Sequence, residues 1–472
     1  MPPREDYDVV VIGGGPAGYV AAIKAAQLGA HVACVEFPGE LGGSCLNRGC
    51  IPAKALVESS LKYREARESF SRFGVLVDNV KFDLEKINRF KNQTMDRLRR
   101  GISVLFRKND IDFYEGRGRI IGIDPLTVLV VFSEALKKQI PLKTKKIIIA
   151  TGSQPLMIPI PGLDGKNVIT SNAATKFEYV PKSMLIIGAG PVGLEFGCIY
   201  NNFGTKVVVV ELLEHILPLE DAEIAQTLHR ALKKEGLELY TSTRLTKIED
   251  GPNGQKISTL IKPNGEKIQI ETELVLAAIG RKPMVENLGL EEVGVKIERG
   301  IVVNEKMETS VPGIYAVGDC LGKIMLAYVA SEEGIVAAKN AMGIDTKMEY
   351  EAIPSVVFVS PEVASVGLTE KEAIEAGYEA KIGRFPFIAV GKSLIVGEKR
   401  GLVKAIIDAK TTRILGVHIV GPRATELIAE ATLAIKQKMT AHELVDALHA
   451  HPVLNEAVAE AVGATIGEAI HV

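Results

Sequence analysis

The chain has 472 residues, 47% hydrophobic and 24% charged, with a formal net charge of -2. That length fits about three domains, the composition is that of an ordinary globular protein, and the even charge leaves no footprint for nucleic acid or an anionic membrane. Five cysteines are too sparse for a disulfide scaffold, which points to a cytoplasmic setting, where a close cysteine pair is more often catalytic or metal-binding than structural.

The first predicted strand, DYDVVVIG, starts at Asp6, and no signal or transit peptide is expected before it. Apolar stretches elsewhere are strand-sized or broken by Gly and charge, so no membrane span is expected. The strand opens a longer unit, DVVVIGGGPAGYVAAIKAAQLGAHVACVE, from Asp8 to Glu36. It reads as strand, glycine turn, helix and second strand. Gly13 permits the tight turn, Gly15 lets a pyrophosphate approach the backbone, and Gly18 lets helix pack on strand. The helix N-terminus offers free N–H groups and partial positive charge to the phosphates. Glu36, at the end of the second strand, is placed for a ribose 2′-OH.

GGSCLNRGC follows, with Cys45 and Cys50 five apart. Zinc would want a second close pair, and none exists; the spacing to His449 and His451 is no familiar zinc pattern. A structural bridge closing so short a loop would constrain the unfolded chain little. A redox pair is the best reading. Pro52 suits the first turn of a helix that AKALVESSLKYREA continues, so Cys50 is expected near that N-terminus, where the dipole favours a thiolate. Cys45 is expected further out, on a glycine-flexible approach, as the thiol that exchanges with substrate. Lys54, one helical turn past Cys50, adds positive charge.

KKIIIATGSQP ends a predicted strand near Gly152, and ELVLAAIGRKP does the same at Gly280; domain boundaries are expected at both. Between them the chain repeats itself. SMLIIGAGPVGLEFGCIYNNFGTKVVVVE, from Ser183 to Glu211, matches the first unit at a constant offset of 175 (188 minus 13, 211 minus 36). Gly188, Gly190, Gly193 and Glu211 fall on Gly13, Gly15, Gly18 and Glu36. One such fingerprint is a weak signal; two in strand context, each with its acid 18 positions past the third glycine, predict two bound dinucleotides. Glu195, in the first turn of an apolar helix, reads either as a surface carboxylate at a helix dipole or as the partner of a distant charge; Lys54 is the preferred partner. GIYAVGDC then ends a strand at Gly318-Asp319, where the carboxylate suits a polyol chain. In the tail, His451 precedes Pro452, which is expected to start a helix, with Glu456 just over a turn along. The pair reads either as surface residues at a helix start or as a proton acceptor with its orienting carboxylate.

GGSCLNRGCIPAK, the paired fingerprints, YAVGDC, SPEVASVG, RILGVHIVGP, ELIAEA and HAHPVLNEA together resemble the dihydrolipoamide dehydrogenases, within the class I pyridine nucleotide-disulfide oxidoreductases, over essentially the whole chain. The resemblance implies an α/β fold of two Rossmann-like FAD- and NAD(P)-binding domains plus a C-terminal α+β dimerisation domain. The segments would be 1–149 and 280–349 for FAD, 150–279 for NAD and 350–472 for the interface. It implies FAD on Gly13, Gly15, Gly18, Glu36, Lys54, Gly118, Gly318, Asp319 and the Met325, Leu326, Ala327, Tyr328 segment, and NAD on Gly188, Gly190, Gly193, Glu211 and Gly280, with no metal. It implies a Lys54–Glu195 ion pair near the flavin, a Cys45–Cys50 disulfide with Cys45 as interchange thiol and Cys50 as charge-transfer thiol, and His451 as base, oriented by Glu456, acting on the partner subunit of a homodimer. Electrons would pass from dihydrolipoamide through the cysteines to FAD and on to NAD+. The partner implied is the lipoyl domain or carrier protein of a 2-oxo-acid dehydrogenase or glycine-cleavage complex, with no nucleic acid and no membrane. Tyr328 stands where relatives often carry histidine, and Arg48 where valine is common. The rivals are a related NAD(P)H-dependent disulfide or mercuric reductase, which Glu211 and the absence of any cysteine after Cys320 oppose, and a flavin-binding sensor without turnover.

Overall fold

The protein is described by a computed structural model, which covers residues 6–133 and 138–471. The chain divides into two compact units. One holds the residues through Leu56, Asp83–Leu156 and Gly280–Met348; the other holds Val57–Phe82, Met157–Ile279 and the chain from Glu349 onward.

In the first unit, β1 (Asp6–Ile12), α1 (Pro16–Gln27) and β2 (Val32–Glu36) form a parallel strand–helix–strand unit. Two helices follow, α2 (Gly43–Arg48) and α3 (Cys50–Glu68), the latter running on into the residues of the second unit. Next come α4 (Leu84–Lys108), β3 (Asp112–Glu115), β4 (Arg117–Ile123), β5 (Leu126–Ser133) and β6 (Lys138–Ile149). The sheet order is β3-β2-β1-β6-β5-β4, and Ile314–Ala316 also pairs with β6. The long β6 pairs parallel with β1 along one edge and serves two neighbours along the other: its early residues pair antiparallel with β5, and Ile147, Ile148 and Ile149 pair parallel with Ile314–Ala316. Val9, Val10 and Val11 are fully buried, as expected of a parallel strand covered on both faces. Small residues let α1 lie close to the helix Ala327–Ala341; a Cβ on Gly334 would meet the Ala17 carbonyl oxygen at 2.5 Å.

The second unit repeats the parallel core in the order Glu238–Tyr240, Lys206–Val210, Ser183–Ile187, Leu274–Ala277, Val168–Thr170. A three-stranded antiparallel sheet (Arg244–Asp250, Lys256–Ile261, Lys267–Thr272) adjoins it. A five-stranded sheet then follows, in which Ser355–Val357, Glu362–Gly367, Ile414–Gly421, Leu402–Asp408 and Ala380–Pro386 neighbour one another in that order, every pair antiparallel. The helices Ala424–Lys436 and Glu456–Ile466 share one apolar core with it. No described helix is long and apolar enough to cross a membrane.

Candidate functional site

The two glycine turns have the same geometry. Gly13 and Gly188 take φ of 109° and 99°, and Gly15 and Gly190 cap their helices in extended conformation, each followed by proline and neither supplying a side-chain cap. The outer glycines are fixed by the protein itself: a Cβ on Gly18 would meet the Gly13 carbonyl oxygen at 1.8 Å, and one on Gly193 the Gly188 oxygen at 2.0 Å. The middle glycines are not. A Cβ on Gly190 would have nothing within 4 Å, and one on Gly15 only Gly43 Cα at 3.7 Å. Packing therefore does not account for glycine at these two positions; open space in front of a helix N-terminus does, because it admits an anionic ligand to the backbone.

The two acids also match. Glu36 accepts the Gly14 and Phe37 N–H groups at 2.8 and 2.7 Å, and Glu211 accepts those of Ala189 and Leu213 at 2.7 and 2.9 Å. Each carboxylate thus ties the end of its strand to its own glycine turn and is held there in a set orientation. Burial pushes the Glu36 carboxyl up, against the pull of its two N–H donors.

Further along the first unit, Gly118 lies in β4 against Ile12, whose Cγ2 a Cβ would meet at 2.9 Å. Gly318 takes φ of 77° and donates its N–H to Glu333 at 2.6 Å, a carboxylate only 1% exposed. Asp319 accepts a hydrogen bond from Ser153 Oγ at 2.5 Å and lies 3.9 Å from Arg281 Nε. Arg281 in turn donates to Ser153 Oγ and to its carbonyl, both at 2.7 Å. Burial pulls the Arg281 guanidinium below its ordinary value. Ser153, Arg281 and Glu333 did not emerge from the sequence reading; the GRKP turn that marked a boundary was the available signal for Arg281. Met325 and Leu326 lead into the helix Ala327–Ala341, which Leu326 caps without a side-chain bond. Tyr328, in its first turn, is exposed.

Cys45 and Cys50 form a disulfide, with their Cα atoms 4.7 Å apart. One expectation about its surroundings is corrected and one is met. Cys45 does not ride a flexible approach; it lies inside α2, because Gly42 and Gly43, at φ of 95° and 61°, turn the chain so that a helix begins there. As expected, α3 starts at Cys50, with Pro52 in its first turn, where no N–H is required of it. Cys50 is therefore the first residue of a 19-residue helix, at the positive end of its dipole. Lys54 lies on the same helix. Glu195, on the helix Pro191–Asn202, is 4% exposed and accepts the Phe358 N–H at 3.1 Å, so it is not a solvated carboxylate at a dipole. Gly280 takes φ of 119° with open space beside it.

In the tail, His451 Nδ1 lies 2.7 Å from Glu456 Oε1, and Glu456 Oε2 accepts the Val453 N–H at 3.1 Å. Burial works against the Glu456 carboxylate, but His451 and the Val453 N–H outweigh it and hold the group below the usual carboxylate range. The His451 side chain is 78% exposed. Pro452 does not start the helix as expected: the His451–Pro452 bond is cis and the helix begins at Glu456, after Asn455. A second carboxylate, Glu430, buttresses this turn by bonding His449 Nε2 at 2.8 Å and Asn455 Nδ2; it too had not emerged from the sequence.

Residues 7–334 match the pyridine nucleotide-disulphide oxidoreductase family model, and residues 353–462 match the dimerisation domain of the same family. Dihydrolipoyl dehydrogenase of Bacillus subtilis is 42% identical over 99% of this chain and 99% of its own length. The mitochondrial dihydrolipoyl dehydrogenase of Pisum sativum is 40% identical over 99% of this chain and 93% of its own. Among solved structures, LpdA from Mycobacterium tuberculosis superposes with a TM-score of 0.87 at 27% identity, covering 96% of this chain and 99% of that one. The flavoprotein disulfide reductase RclA from Escherichia coli, in its Cu(II) complex, gives 0.86 at 26%, over 98% and 99%. With a disulfide at the head of a helix and two matched nucleotide turns, this chain belongs to the pyridine nucleotide-disulphide oxidoreductase family.

Proposed function

We propose that the chain is a dihydrolipoyl dehydrogenase, oxidising dihydrolipoamide to lipoamide with reduction of NAD+ through the Cys45–Cys50 disulfide. The observation that carries this reading is the disulfide itself, its second sulfur at a helix N-terminus, in a chain about 40% identical to dihydrolipoyl dehydrogenases end to end. The cofactors are FAD and NAD. The open space at Gly15 and Gly190 fits a diphosphate at each turn, and we assign FAD to the first and NAD to the second. Asp319 and the Met325–Tyr328 segment would hold the rest of FAD, with Lys54 and Glu195 as an ion pair near its ring. Gly280 would line the NAD site. Bound there, FAD supplies two-electron transfer between the cysteine pair and NAD+.

The chain's own residues do the thiol chemistry. One substrate thiolate attacks Cys45 Sγ, the Cys45–Cys50 bond breaks, and Cys50 leaves as a thiolate that the helix dipole stabilises. The second substrate thiol then attacks the substrate sulfur bound to Cys45; the mixed disulfide breaks, lipoamide leaves and Cys45 becomes a thiol. His451 takes the proton of the first substrate thiol as that thiol becomes the attacking thiolate, the proton of the second passes to Cys45 as the mixed disulfide breaks, and Glu456 fixes the imidazole ring. We assign His451 to the disulfide of a partner subunit, a reading supported by its exposure and by the dimerisation-domain match. The natural substrate carrier would be a lipoyl domain or carrier protein of a 2-oxo-acid dehydrogenase or glycine-cleavage complex, in the cytoplasm. For the layout we keep FAD-binding segments 1–149 and 280–349, an NAD-binding segment 150–279 and an interface domain 350–472.

The test is a turnover assay of the purified yellow protein. Dihydrolipoamide with NAD+ should be oxidised fast, and glutathione disulfide with NADPH should give next to nothing, since Glu211 opposes a 2′-phosphate. The reverse preference would overturn the assignment.

A further inference from the structure

We infer that Arg48 is a cofactor-binding residue whose guanidinium supplies positive charge to the diphosphate of FAD on the first glycine turn. The inference rests on the proposal that this turn holds FAD.

Arg48 closes α2, and α2 is anchored to the turn at its other end. A Cβ on Gly43 would meet Gly15 Cα at 2.5 Å, and the Gly42 N–H donates to the Gly14 carbonyl at 2.9 Å. Asn47, one residue before Arg48, stitches the same segment: its Nδ2 donates to the carbonyls of Glu40 and Gly43, both at 2.9 Å, while its Oδ1 accepts from Arg99 Nη2 at 2.6 Å. The disulfide loop and the cofactor turn are therefore one rigid piece, and Arg48 cannot drift far from it.

The guanidinium has one protein partner among the described residues. Its Nη1 donates to Glu40 Oε1 at 2.7 Å. The other carboxylate oxygen of Glu40 is buried and has no hydrogen-bond partner. Nε and Nη2 of Arg48 make no protein hydrogen bond among the described residues, and the side chain is 35% exposed. The charge of Arg48 acts in two directions. It favours the carboxylate of Glu36, the acid at the end of β2, and it opposes the charge of Arg281, which lies with Ser153 and Asp319. Arg48 is thus within electrostatic reach of both groups.

The charge count makes the role specific. Glu36 and Glu40 are two carboxylates beside a turn that is to hold a doubly negative diphosphate, and Arg48 is the cation paired with one and acting on the other. A helix N-terminus offers roughly half a charge, too little to offset two acids. A guanidinium with unused donors suits a diphosphate, which it can engage through two N–H groups at once.

The test is FAD binding, not turnover. FAD is stripped from the purified holoenzyme and its rebinding to the apoprotein is followed by flavin fluorescence. Arg48→Gln should raise the Kd on the order of tenfold, the worth of one charge-assisted bond, and Arg48→Lys should raise it far less. Added salt should weaken the parent more steeply than Arg48→Gln. Equal Kd values for parent and Arg48→Gln, or an equal loss in Arg48→Gln and Arg48→Lys, would overturn the inference. If Arg48→Gln does not fold, Glu40→Gln decides: deleting that acid should tighten FAD binding, and unchanged or weaker binding overturns the role. A parent apoprotein that takes up no FAD at all overturns the FAD assignment as well.

Discussion

His451 Nδ1 and Glu456 Oε1 are 2.7 Å apart, and the other oxygen of that carboxylate is held by the Val453 N–H. The carboxylate is thus fixed before it meets the imidazole, and it sets which ring nitrogen carries hydrogen. Glu456→Gln keeps the shape and removes the charge. It should lower kcat/KM for dihydrolipoamide on the order of tenfold to a hundredfold. The loss should fall on kcat, with KM for dihydrolipoamide little changed, because the carboxylate touches the base and not the substrate. A Glu456→Gln protein with the parent kcat would count against the orienting role.

Cys50 heads a 19-residue helix, whereas Cys45 lies in the middle of the six-residue α2. The dipole of the longer helix favours thiolate at Cys50. Two-electron reduction should therefore give a long-wavelength thiolate-to-flavin absorption band. Cys50→Ser should lose that band, and Cys45→Ser should show it with no reductant added. Survival of the band in Cys50→Ser would reverse the two assignments.

Gly190 and Gly193 should separate binding from folding. Gly193→Ala places a methyl 2.0 Å from the Gly188 oxygen, a backbone clash worth about 1–3 kcal/mol or more, so its Tm should fall without any ligand. Gly190→Ala meets no protein atom within 4 Å. It should melt like the parent and show its defect as a raised KM for NAD+. A Gly190→Ala protein with an unchanged KM would mean the open space is not the diphosphate site.

The difference between those two glycines also marks what the sequence could reveal. Residue type alone exposes a missing Cβ, and a repeat at offset 175 exposes it twice, so both turns and their acids were legible. The identity of what each glycine faces was not, because Gly18 and Gly15 look alike until the neighbouring backbone is in place. The Ser153–Arg281–Asp319 cluster was hidden for a similar reason: its members are 128 and 166 positions from Ser153, and no local pattern links them. Glu333 reads as one more polar residue of an amphipathic helix, yet it is buried to receive the Gly318 N–H. Around Cys45, glycines that suggested looseness turned out to set the positive φ angles that begin a helix. At the tail, Pro452 suggested a helix start that occurs only at Glu456.

Lys404 supplies a stability prediction. Its side chain is 3% exposed and pairs with Asp221 at 2.9 Å, Glu370 at 2.7 Å and Glu223 at 3.3 Å. Burial would raise the Asp221 carboxyl, but Lys404 outweighs it and holds the group below its ordinary value. Lys404→Met strands the buried Asp221 carboxylate and should cost about 3–5 kcal/mol near neutral pH. A depressed carboxyl stabilises the fold above its unfolded pKa of about 4, and that contribution is lost as pH falls through the depressed folded value. The gap between parent and variant in urea midpoint should therefore be full at pH 7 and shrink below about pH 4. A gap that stays constant down to pH 3 would show that Lys404 acts by packing alone.

The last prediction concerns where His451 works. Its side chain is 78% exposed on its own chain, which is little shelter for a group meant to exchange protons with a thiol beside a disulfide. Residues 353–462, which contain it, match a dimerisation domain, so a second chain is expected to cover it. Two inactive variants, Cys50→Ser and His451→Ala, can be co-expressed with different tags and the mixed dimer purified through both. Suppose each base serves the opposite disulfide. One site of the mixed dimer then carries both lesions. The other joins the intact disulfide of the His451→Ala chain to the intact base of the Cys50→Ser chain, and it should turn over at close to the parent rate per site. Suppose instead that each base serves its own chain. Every site then carries one lesion and nothing recovers. NADH formation from dihydrolipoamide distinguishes the two, and a mixed dimer no more active than either parent homodimer would end the cross-subunit assignment.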